Sequence, residues 1–149
     1  MTPASSKRTA HAPLVAVTIG KSGFASQVRV RNHSLWADEP RTVGGTDSGP
    51  SPYELLLASL GTCVAMTVRM YADRKGWPLA GVSVSLSQER IRAEDCLDCE
   101  SASGPVLQIT KRIELQGDLD QEQRSRIMEI ADRCPVQRSL VSEVQIRTE

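Results

Sequence analysis

Four cysteines, at positions 63, 96, 99 and 134, are the residues of this 149-residue chain best suited to do chemistry. A thiol can be a nucleophile, a metal ligand or half of a disulfide, and its surroundings decide how much of it is thiolate. Cys63 lies within "LLLASLGTCVAM" (55–66), a run with no charge. Cysteine is among the most buried residue types, so it either fills space there or reacts there. Cys134 stands between a helical pattern and Pro135, at the start of "PVQRSL", where free N–H groups and a helix dipole favour a thiolate. The plain alternative is a small residue at a helix junction. Cys96 and Cys99 have C-x-x-C spacing in "EDCLDCE". That is half of a four-cysteine zinc site, needing a second subunit or His33 to complete it. The adjoining carboxylates disfavour thiolates, which argues for an exposed loop over a low-pKa redox pair.

The elements that must position these thiols follow from periodicity. "PLVAVTIG", "FASQVRVRN" and "HSLWADEP" alternate as strands, with Val28 and Val30 on one face and Arg29 and Arg31 on the other. "RTVGGTDSGPSP" is a loop rich in Gly, Pro, Ser and Asp. A helix starts at "SPYE", with Ser51 as N-cap, Pro52 in the first turn and Glu54 closing a capping box, and stops at Gly76-Trp77-Pro78. Between Leu55 and Met66 it is apolar or small on nearly every side, wider than the stripe of an ordinary surface helix. Cover on all sides implies a partner helix or a second subunit, and hence a dimer. "GVSVSLSQERI" and "VLQITKRIEL" read as a long antiparallel pair. "DLDQEQRSRIMEIADRC" reads as a second helix, Pro135 opens a new turn, and "EVQIR" reads as a closing strand.

Eighteen basic residues balance eighteen acidic ones without a basic block, so nothing looks built to neutralise phosphates or an anionic bilayer, and neither nucleic acid nor a membrane is expected as a partner. No run reaches the roughly 18 to 20 apolar residues needed to span a membrane. Its polar start "MTPASSKRTAHAP" is read as a disordered tail over 1–12, followed by a single domain over 13–149 in a cytoplasmic protein. In a reducing compartment the cysteines are expected as free thiols, metal ligands or transient redox partners. His11, in the tail, and His33, at a hairpin turn, read as solvated surface residues.

"GGTDSGPSPYELLLASLGTCVAM", followed some seventy residues on by "ADRCPVQRSL", resembles the osmotically inducible protein C and organic hydroperoxide resistance family. The resemblance runs through nearly the whole chain. It implies an α+β fold of antiparallel sheets wrapped around two long central helices in an intertwined homodimer, with active sites at the interface. It further implies a thiol-dependent peroxidase: Cys63 attacks an organic hydroperoxide, Cys134 resolves the sulfenic acid as a disulfide, and a dithiol reductant restores both. No bound cofactor is called for, apart from the zinc alternative at Cys96 and Cys99. The family's activating arginine is best matched by Arg41 in "EPRTVGG", with Arg29, Arg31 and Arg138 as rivals. The glutamate that orients it is matched by Glu54, in a register where some members carry the acid at the position of Tyr53. Apolar neighbours such as Leu56, Leu60 and Met66 suit an alkyl hydroperoxide. An acidic C-x-x-C loop resembles one branch of the family, for which a binding or stress-response module with little turnover is the alternative.

Overall fold

The computed structural model describes residues 13–149, so the tail expected over 1–12, with His11, lies outside the described residues. The chain divides into two compact units, one ending at Leu55 and the other beginning at Leu56.

In the first unit, β1 (Val15–Ile19), β2 (Ser26–Val30) and β3 (His33–Ala37) form an antiparallel meander in sequence order. Val28 lies between Val17 and Leu35 in register, and among these three it is the buried one. Arg31 adopts a left-handed φ of 53° in the two-residue link between β2 and β3. The loop that follows is organised by Asp38, which is 2% exposed. Its carboxylate accepts from Glu39 N (2.8 Å), Thr46 N (3.0 Å), Thr46 Oγ1 (2.6 Å) and Ser48 N (3.1 Å). These bonds, led by the Thr46 hydroxyl, hold the Asp38 carboxyl well below the usual carboxylate range, outweighing burial. The loop closes so tightly that a Cβ on Gly45 would lie 1.8 Å from Glu39 O, and one on Gly49 2.0 Å from Trp36 O.

The helix α1 (Pro52–Lys75) begins as the sequence predicts, with Ser51 N donating to Glu54 Oε2 (2.7 Å) and Glu54 N to Ser51 Oγ (3.4 Å). It ends in a Schellman arrangement: Gly76 has a φ of 66°, Gly76 N donates to Asp73 O and Trp77 N to Ala72 O.

In the second unit, β4 (Leu79–Arg92) and β5 (Pro105–Gly117) pair antiparallel, placing Val82 opposite Leu115, Val84 opposite Ile113 and Leu86 opposite Lys111. The buried stripe Leu60, Val64, Val68 and Ala72 of α1 forms one core with these inward side chains, Leu79, Leu119, Ile127 and Ala131. Each large apolar side chain so buried contributes about 1.5–3 kcal/mol. The helix α2 (Gln121–Ala131) has its own capping box, Asp120 with Gln123, and α3 (Pro135–Leu140) follows it.

Three expectations are corrected. "EVQIR" is not a strand: residues 143–149 are irregular, with Val144 61% and Ile146 88% exposed, because among the described residues no strand pairs with them. "PVQRSL" is a short helix rather than a turn, since Pro135 suits the first helical position. By length and mean hydropathy (1.5), α1 is apolar enough to cross a membrane, because averaging over a window absorbs its few charges; its buried stripe makes it a core helix here. The side of α1 bearing Ala58, Ser59, Thr62, Met66 and Met70 is exposed in the single chain.

Asp38 yields an acid-stability prediction. With a folded pKa depressed below the unfolded value of about 3.9, its stabilisation is present above that pH and is lost as pH falls through the folded value. Melting temperature measured from pH 6 down to pH 2 should therefore fall more steeply below pH 4 in wild type than in Asp38→Asn, which starts lower at neutral pH.

Candidate active site

The second unit brings two of the four cysteines together. Cys63, on α1, is half-buried and packs against the core cluster that contains Cys134. Cys134 is fully buried and is the N-cap of α3. Its φ and ψ of −61° and 139° are extended, as an N-cap requires, and its Sγ accepts from Gln137 N at 3.3 Å. The Cys134 and Cys63 side chains are hydrogen-bonding neighbours. Burial pushes the Cys134 thiol up, and the contact with Cys63 adds to the rise. The Gln137 N–H and the positive charge of Lys111 oppose it without cancelling it. The balance favours the protonated thiol.

Lys111 was not singled out in the sequence, although the signal is there. The half-buried face of β5 reads Ile109, Lys111, Ile113, Leu115, with a charge where the alternation calls for an apolar residue. Its ammonium is held by Asp132 Oδ1 (2.8 Å), Ala131 O (3.4 Å) and Gln137 Oε1. Next to it opens a cavity of about 340 Å³, lined by Leu56, Leu60, Leu107 and Ile109 with Lys111 and Gln137. A larger hollow, about 600 Å³ beside Tyr71 and Trp77, contains no thiol; Arg126 there is bound to Tyr71 Oη and Glu129.

The other predicted residues are placed by their own elements. Arg41 opens a single turn of 3-10 helix in the Asp38 loop and is exposed; Glu54 caps α1. Of the rival arginines, Arg29 lies on β2, Arg31 in the tight link after it and Arg138 on α3. Cys96 and Cys99 are joined as a disulfide, Cα–Cα 5.5 Å, in the connection between β4 and β5. Sulfurs so joined offer no thiolate to a metal. Among the described residues no group of three or more His, Cys, Asp or Glu is placed to hold one.

The profile of the OsmC-like protein family matches residues 45–149, a stretch that contains both thiols and the elements that carry them. The chain belongs to the OsmC-like family. No curated protein matches it by sequence. Among solved structures, this OsmC-like chain is similar to an osmotic-stress and detoxification response protein, so named provisionally, from Psychrobacter arcticus (20% identity, TM-score 0.67, 86% of this chain and 88% of that one). It is likewise similar to the organic hydroperoxide resistance protein OsmC of Legionella pneumophila (18%, 0.61, 90% and 92%). A third is the organic hydroperoxide resistance protein OhrB of Bacillus subtilis (17%, 0.57, 85% and 88%). At these identities the likeness is one of fold, and it matches the α+β architecture of antiparallel sheets and helices read from the sequence.

The raised Cys134 pKa sets a sign for alkaline stability in this OsmC-like protein. Its contribution is fully present below the unfolded thiol value of about 8.5. It is lost as pH rises from there through the folded value, because the unfolded chain then releases a proton that the native state retains. Thermal unfolding between pH 7 and 10.5 should show a decline that is shallower in Cys134→Ala. Parallel curves for the two proteins would refute the assignment.

Proposed function

We propose that this protein is a thiol-dependent peroxidase that reduces organic hydroperoxides to alcohols. The observation that carries the reading is the contact between Cys63 and Cys134 close to an apolar cavity. In the first step the Cys63 thiolate attacks one peroxide oxygen: an S–O bond forms, the O–O bond breaks, and the departing alkoxide takes a proton to become the alcohol. Cys63 is then a sulfenic acid, which condenses with Cys134 to a disulfide. An external dithiol reduces that disulfide by exchange and is itself oxidised. The cavity's Leu56, Leu60, Leu107 and Ile109 favour an alkyl group over hydrogen peroxide.

Arg41 is the proposed counter-charge for the Cys63 thiolate and Glu54 the proposed orienting carboxylate, both by the family resemblance. The capping bond already made by Glu54 is compatible with that role, since a carboxylate has further lone pairs to offer. A homodimer is proposed on the exposed Met66 and Met70 of α1 together with the exposed Val15, Val17 and Ile19 of β1, apolar surface that a second copy would cover. A reducing cytoplasm would supply the dithiol.

Stoichiometric cumene hydroperoxide should consume two thiols per chain, and peptide mapping should join Cys63 to Cys134. Cys63→Ser should abolish peroxide consumption, whereas Cys134→Ser should consume peroxide once and leave Cys63 as a trapped or overoxidised acid. Equal consumption by wild type and Cys63→Ser would leave a binding module as the better account of the fold. Light scattering at low micromolar concentration should give twice the chain mass; a folded monomer would remove the dimer from the proposal.

A further inference from the structure

We propose that Lys111 is the positioning residue of the resolving step: it holds the first turn of α3 against the Cys134 sulfur and supplies the positive charge under which that sulfur becomes a nucleophile. The inference rests on the reading of Cys134 as the resolving thiol.

The geometry supports it from two directions. A lysine on the inward face of a sheet loses hydration and needs oxygens to replace it. Lys111 finds three, one for each ammonium proton: the carboxylate of Asp132, the carbonyl of Ala131 and the side-chain carbonyl of Gln137. Two of these, Ala131 and Asp132, belong to the end of α2, and the third belongs to α3. The ammonium therefore ties together the two helices that flank Cys134. Gln137 is the joint: its side chain accepts from Lys111 while its backbone N–H donates to Cys134 Sγ. Fixing that side chain fixes the donor over the sulfur.

Chemistry explains why such a device is needed. In the resolving step the Cys134 sulfur forms a bond to the Cys63 sulfur, the S–O bond of the sulfenic acid breaks, and the Cys134 proton leaves with the hydroxyl as water. No further reagent enters. A fully buried sulfur is poorly placed to develop the negative charge this requires. A fixed N–H and a fixed cation offset that penalty without admitting solvent. The groups that bear on the titration are Cys63 from α1, Lys111 from β5 and Asp132 after α2, with Cys134 itself. Asp132 is the more exposed partner of its ion pair, so Lys111 is the charge held close to the thiols.

The test uses the full chain carrying Cys96→Ser and Cys99→Ser, reduced and mixed with the aromatic disulfide DTNB. Release of the first thionitrobenzoate reports capture of Cys63, and release of the second reports attack by Cys134 on the mixed disulfide. Lys111→Met, which keeps the length and removes the charge and its donors, should slow the second phase about ten-fold more than the first at pH 7, the effect of about one pK unit. Its second phase should recover at a higher pH than that of wild type, and Lys111→Arg should restore the wild-type profile. Slowing of both phases in equal proportion, or of neither, overturns the inference. Because no peroxide is involved, slow resolution by DTNB in a protein that fails to consume hydroperoxide would sink the peroxidase reading and leave the role of Lys111 standing.

Discussion

The packing of Leu60, Val64, Val68 and Ala72 against the β4–β5 pair is the contact on which the thiol site depends. These residues recur at helical spacing and fix which side of α1 faces the sheet. Cys63, next to Val64 in the sequence, is thereby half-buried at the border of the core. The same core takes in Ile127 and Ala131 of α2, so the end of that helix, and Cys134 beyond it, are anchored from the other side. The two sulfurs meet because two helices share one sheet. Neither thiol is held by a local motif that would survive without that core.

Much of this was legible in the sequence, for physical reasons that differ by element. The capping box at Ser51 and the Gly76-Trp77-Pro78 stop bounded α1, since both signals act within one turn. Strict alternation marked β4 and β5, because each has one face on the core. The Cys63 and Cys134 motifs led to the right family, and the structure brings those two residues together. "EVQIR" has the alternation of a strand and yet forms none, because pairing is a property of two segments and no single segment encodes it. Lys111 escaped attention because a lone charge in an alternating run looks like noise until the oxygens of Asp132, Ala131 and Gln137, far away in sequence, are seen around it.

Asp38 illustrates a different economy of design. One carboxylate satisfies four donors of the loop that carries Arg41, and two glycines allow the backbone to close around it. The sequence showed that stretch only as a loop rich in turn-forming residues. Its order comes from a buried acid just outside the stretch, and buried acids are rare enough that composition gives no warning of them.

Gly61 has a further consequence for the turn that carries Cys63. A Cβ at this position would come within 2.7 Å of Leu86 Cδ1, so the tip of that strand side chain rests against bare helix backbone. Cys63 lies two residues further on, about 200 degrees around the helix and 3 Å along its axis. The glycine acts as a socket: the leucine tip seats in the gap that the missing side chain leaves, within the same helical turn as Cys63. A larger residue would have to displace the flexible tip of Leu86, so the cost would fall on core packing beside Cys63 and leave the helix backbone in place.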